Sequence, residues 1–167
     1  MDYSAKDIFK SANNFHVAAI TLFEKLDETK DVGTYLAPNI TVSSFTLELY
    51  LKCIYMLENK RAAPNMHALD KLFDLLSIES KHIIEYVYNS LVQRSPSIQE
   101  LKRIFLEKDL RLESVIKEMS HAFVKWRYSY EKKQLPDYTG ASEIIEGLKA
   151  RIRMLEPEWF DEEEKSL

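Results

Sequence analysis

Arg61 and His67 are the first pair in this 167-residue chain whose types and spacing could do chemistry. Five residues separate them: Ala62, Ala63, Pro64, Asn65 and Met66. An arginine can hold a phosphate, and a nearby histidine can act as general acid or base in RNA cleavage. Pro64 interrupts any helix that would present both side chains together, so the structural alternative is a solvated Arg61 in a loop and a His67 that opens the next helix. A histidine in that position can also reach back to a polar group on a preceding helix. Glu48 and Lys52 are the candidates, in which case His67 is a clamp closing the loop onto the bundle. The segment Trp126-Arg127-Tyr128-Ser129-Tyr130-Glu131 is a further constellation. Aromatics beside an arginine are what a base-stacking, phosphate-holding surface uses. The same residues also make a core aromatic with its arginine satisfied by Glu131, four positions on.

Metal chemistry has one pattern to consider. Glu79-Ser80-Lys81-His82 and Glu118-Met119-Ser120-His121 both have the Glu-x-x-His spacing of a di-iron bundle, which also needs an inward Glu from each of two other helices. Glu24 and Glu48 are the residues on offer. His82, however, precedes the apolar stripe of its helix and should face outward, so no metal or other cofactor is expected. The chain has no Gly-rich phosphate loop, no His-Glu-x-x-His motif and no Gly-x-Ser-x-Gly elbow. Cys53 is the one cysteine, which excludes an intrachain disulfide. It lies in the apolar run 51–57 and reads as a buried, inert thiol.

The elements that must position these residues are helices. Gly (3) and Pro (5) are scarce, and no segment alternates with period two long enough to make a strand. Ser4 caps a first helix to about Glu28, with Ile8, Ala12, Phe15, Ala19, Leu22, Phe23 and Leu26 on one face. A loop over residues 31–39 leads to a second helix, capped by Asn39 or Thr41 and ending near Glu58. Its run 45–57 is apolar almost all round, which makes it the central helix. Glu48 and Lys52 are the exceptions, four apart and in the favourable order for a helical ion pair. Shorter helices are expected over about 66–76 and 79–92. A long helical pattern follows the capping box Ser97-Ile98-Gln99-Glu100 to about Lys132, with a possible interruption at residues 107–109. A last helix covers about 142–155 and ends before Pro157.

The expectation is an all-α, antiparallel bundle of about five to six helices, a single domain over residues 1–156 with an acidic tail at 157–167. The net charge of −4 gives no bulk electrostatic reason to bind nucleic acid, so such contact needs a local basic cluster. The N-terminus lacks the features of a signal peptide. No apolar run is expected to serve as a membrane span, which needs ~18 residues, and the chain is expected to be cytoplasmic, without membrane contact.

Three segments in order resemble the HEPN superfamily: Glu48-Leu49-Tyr50-Leu51-Lys52, then His67-Ala68-Leu69-Asp70-Lys71-Leu72-Phe73-Asp74-Leu75-Leu76, then Trp126-Arg127-Tyr128. The resemblance spans about residues 45–131. It implies a helical bundle, often dimeric. Many members are metal-independent ribonucleases of toxin–antitoxin, CRISPR and phage-defence systems, and others bind nucleotides, RNA or proteins without catalysis. Catalytic members carry an Arg and then a His, with four to six residues between them, near the start of a late helix. Here that order is reversed, with His121 before Arg127. The Arg-Tyr-containing branch of the family is the closer match. The implied function is binding of a nucleotide, RNA or a partner protein from a neighbouring gene, by a homodimer, with a metal-independent ribonuclease or a purely structural dimerisation module as alternatives. The implied site is Glu48, Lys52 and Tyr128 for binding and His67 with Arg127 for catalysis, Arg61 and His121 being the alternatives.

Overall fold

The computed structural model describes residues 3–104, 108–120, 125–126 and 138–160. These residues are helical and contain no strand. Seven helices of six or more residues are described: α1 (Ala5–Thr29), α2 (Val32–Asn59), α3 (Leu69–Asp74), α4 (Ile78–Arg94), α5 (Pro96–Ile104), α6 (Leu112–Met119) and α7 (Ala141–Leu155). This exceeds the expected five to six because the long pattern after Ser97 divides. Residues 108–111 are not helical, and Asp109 there accepts hydrogen bonds from the Arg111 guanidinium and the Ser114 hydroxyl, on the way into α6. An Asp that bonds locally competes with the helical ladder.

Ser4 caps α1 as expected, in a reciprocal capping box with Asp7. The inward face of α1 differs from the expected stripe. Phe9, Ala12 and Ala19 are buried, whereas Phe15 and Phe23 are exposed. Phe9 lies against Tyr50, Trp159 and Phe160, with ring centroids 5.1 Å apart in the last pair. The packed chain therefore continues through Phe160, past the boundary expected at residue 156. Residues 161–167 lie outside the described residues.

The start of α2 is the main correction. Asp31, not Asn39 or Thr41, is the N-cap, and Pro38 lies inside the helix. Residues 30 and 31 alone join α1 to α2, making a tight helical hairpin. Asn39 is instead buried, its side-chain amide donating to the Ala19 carbonyl of α1 at 2.7 Å. Extended this way, α2 has 28 residues. By length and composition it contains an 18-residue stretch apolar enough to cross a membrane, of which 72% is buried inside the molecule. It is the core helix of the bundle, packed by α1, α3 and α7. Cys53 on it is fully buried, and burial pushes its thiol up to about 12. The capping box expected at Ser97 and Glu100 does not form. Pro96 takes the first turn of α5, where its missing N–H costs nothing, and Glu100 pairs with Arg103.

α4 and α7 pack closely. Gly147 of α7 allows this: a Cβ there would lie 2.9 Å from the Ile84 carbonyl oxygen of α4. α7 begins at Gly140, whose φ of +96° favours glycine, beside the buried Tyr88 ring.

Candidate functional site

The middle of α2 presents Glu48 and Lys52 one turn apart, and the Lys52 ammonium pairs with Glu48 Oε1 at 2.8 Å. The loop after α2 folds back, so that His67 Nδ1 lies 3.0 Å from the same oxygen. Exposure separates the three roles. The Glu48 side chain is 3% exposed, Lys52 14% and His67 67%. A carboxylate sealed beneath the surface is thus neutralised by one cation and covered by an imidazole that remains in water. An ionised carboxylate is an acceptor only, so His67 donates from Nδ1. Its Nε2, on the opposite edge of the ring, faces the open side, as an acceptor in the neutral ring and as an N–H donor in the imidazolium. Carboxylates behind catalytic or ligating histidines fix tautomer and ring orientation in this way.

Of the sequence candidates, the structure brings Glu48, Lys52 and His67 together. Arg61 is on the same loop, exposed, with its guanidinium 5.3 Å from the centre of the Tyr55 ring. Arg127, Tyr128 and His121 lie outside the described residues. The residue before His121 does not: Ser120, at the end of α6, donates to the Asp70 carboxylate and accepts from the Asp70 N–H, three positions along from His67. The Ser120 hydroxyl holds the Asp70 carboxyl below its usual value. The loop over residues 59–68 carries Lys60, Arg61 and His67, all exposed, and no Asp or Glu. It is a local basic surface on an acidic chain.

The Glu79-x-x-His82 half of the di-iron pattern is occupied otherwise. Glu79 and His82 are exposed, and Glu79 accepts from Arg151 at 3.1 Å. Among the described residues, no three His, Cys, Asp or Glu side chains gather as metal ligands.

A second polar cluster was not anticipated. Arg151 of α7 is buried. It donates through Nε to the Ser80 hydroxyl at 2.6 Å, and its guanidinium approaches Glu58 at 3.8 Å. Glu58, at the end of α2, accepts from the Ser77 N–H and hydroxyl and from the Ser80 hydroxyl. Burial would raise the Glu58 carboxyl, but these hydrogen bonds and Arg151 outweigh it and hold it low. The signal for this cluster lay in the spacing. Arg151 falls on the inward stripe Ile144, Leu148, Ile152, and Ser80 falls four before Ile84 and eight before Tyr88. The cluster ties the end of α2 and the start of α4 to α7, and Glu79 is its exposed edge.

Compared with protein-family models, with curated proteins and with solved structures, the chain gives no match.

Proposed function

We propose that this chain is a HEPN-like helical bundle that binds the phosphates of a nucleotide or single-stranded RNA at the loop over residues 59–68. The observation that carries this reading is His67, two-thirds exposed yet held at Nδ1 by the sealed carboxylate of Glu48. As the imidazolium, with Nδ1–H committed to Glu48, it donates from Nε2–H to a phosphate oxygen, and a purely structural clamp has no need of that open edge. Lys60 and Arg61 on the same loop supply positive charge without a competing carboxylate. Phosphate contacts from flexible cations fix position rather than sequence, so the expected binding is broad in sequence and falls with salt. The three ordered segments that resemble the HEPN superfamily support the same reading and carry with them a homodimer, a partner from a neighbouring gene and a setting in prokaryotic defence or toxin–antitoxin systems.

The second reading is a metal-independent ribonuclease, favoured by the Glu48–His67 pair itself. An imidazole with Nδ1 bound to a carboxylate presents Nε2 as a general base for a ribose 2′-hydroxyl, and Arg61 or Arg127 would hold the developing phosphorane.

One experiment addresses both. Fluorescence anisotropy with a labelled 20-nucleotide single-stranded RNA and with labelled ATP, in EDTA, reads binding, and gel analysis of the same samples reads cleavage. The binding reading expects His67→Ala and Arg61→Ala each to weaken affinity by roughly threefold to tenfold, in line with one lost charge-assisted contact apiece. The ribonuclease reading expects cleavage in EDTA that His67→Ala abolishes. Affinity unchanged in both variants, with no cleavage, would leave the structural dimerisation module as the account of this cluster.

A further inference from the structure

A cavity of about 250 Å³ opens where α1, the first half of α2 and the start of α7 meet. Ile20, Phe23 and Ile145 make apolar walls, and His16, Ser43 and Tyr138 supply polar groups. Among the described residues, no Lys, Arg, Asp or Glu lines it. It is separate in residues and chemistry from the basic loop over 59–68.

Three features indicate an occupant. Ile20 and Phe23 stand at 45% and 59% exposure on α1, where a bound apolar body would cover them. The size is right for a small ring system: an apolar cavity of about 150 Å³ takes up benzene, so this one admits a bicyclic ring of roughly ten heavy atoms. The third feature is the Tyr138 hydroxyl, buried near Ser43 and Ser44 without completing a hydrogen bond of normal geometry. The Ser44 hydroxyl is already committed to the Ile40 carbonyl. A buried donor left unpaired costs about 1–3 kcal/mol. Ser43, beside it on the cavity wall, is the hydroxyl a ligand heteroatom would meet.

Charge narrows the class. Burial keeps the proton on the Tyr138 phenol and pushes the His16 imidazole below its ordinary value, with Lys149 adding to the second effect. At neutral pH the described lining therefore offers neutral donors and acceptors and no ion. It suits neither a phosphate nor a carboxylate, whose desolvation would go uncompensated.

We infer that this cavity binds a neutral, planar, indole-sized molecule carrying one hydrogen-bonding group, with its ring between Ile20, Phe23 and Ile145. The test is isothermal titration of the full chain at pH 7.5 with indole and with p-cresol, and with benzoate and AMP as charged comparisons. The expected result is saturable one-to-one binding of at least one neutral probe, and binding of both charged probes at least about tenfold weaker. Phe23→Ala, which removes an exposed side chain, should weaken the neutral probe about fivefold. Ser43→Leu, which fills the cavity, should abolish binding in a protein whose circular dichroism is unchanged. If Ser43→Leu does not fold, Phe23→Ala carries the test alone. No saturable binding of either neutral probe below about 5 mM would overturn the inference. So would affinity unaffected by the folded variants, or a charged probe binding as tightly as the neutral ones.

Discussion

Glu48 owes its place in the core to its two partners, since a lone ionised carboxylate at that depth would be strongly unfavourable. The partners contribute unequally because their exposures differ. Lys52 is mostly buried and supplies the neutralising charge; His67 stands in water and is screened there. Lys52→Met is therefore expected to destabilise the protein by about 3 kcal/mol, by stranding the carboxylate. His67→Ala should cost less than about 1 kcal/mol. The double variant Glu48→Met with Lys52→Met should recover most of the loss, because removing a buried pair together is far less costly than breaking it. Urea unfolding of the three variants measures all of this, and a double variant no more stable than Lys52→Met alone would contradict it. The pair was legible in the sequence through its four-residue spacing on an apolar helix. The approach of His67 to Glu48 was legible only as one arrangement among others, because a loop's path is set by tertiary packing rather than by local pattern.

Helix ends and helix contacts carry the next level of control. Gly147 sits inside α7, where exchange for alanine ordinarily stabilises by about 1 kcal/mol. Here the new methyl would meet the Ile84 carbonyl at 2.9 Å, and overpacking against backbone costs about 1–3 kcal/mol. Gly147→Ala should thus lower the melting temperature, opposite in sign to helix propensity. Lys60 ends α2 with φ of 53°, in the left-handed region. Lys60→Gly should relieve that strain and stabilise by about 0.5 kcal/mol net of glycine's greater freedom when unfolded. Thermal melts of the two variants should move in opposite directions from the parent, and a shift of the same sign in both would contradict the assignment. Helix existence was well marked in the sequence; helix starts were less so. Asp31 and Pro38 read as loop chemistry, yet Asp31 is the cap and Pro38 is carried within α2, because the hairpin with α1 buries Asn39 and Ile40. On α1, three- and four-residue spacing put Phe15 and Phe23 on the inward stripe and left out Phe9, which is the buried one. The aromatic cluster with Trp159 and Phe160 decides it, and that cluster is distant in sequence.

Across the whole molecule, the shifted groups act together on the acid side. Glu58 and Asp70 are held below their ordinary values, 4.5 and 3.8, so their stabilisation is present above those values and is lost as pH falls through the lower native ones. His16 is also lowered, from 6.5, by burial: it stays neutral in the native state while the unfolded chain takes up its proton first. Its contribution is therefore present above 6.5 and lost as pH falls below that. Stability should decline from near pH 6.5 and again, more steeply, below about pH 4.5. Urea midpoints of the parent and of His16→Gln should differ in slope between pH 6.5 and 5.5, and parallel profiles there would contradict the sign. The same molecule is acidic overall and basic along residues 59–68, a contrast invisible in net charge and visible in the order of residues. Its proposed ligand contact rests on one imidazole. Nitrogen-detected NMR of the histidine rings, with His67 assigned through His67→Ala, tests that contact most directly. The account predicts a His67 tautomer protonated at Nδ1 whose Nε2 resonance moves on addition of single-stranded RNA. A neutral His67 ring protonated at Nε2 alone, or one that does not respond while RNA binds elsewhere on the chain, would contradict it.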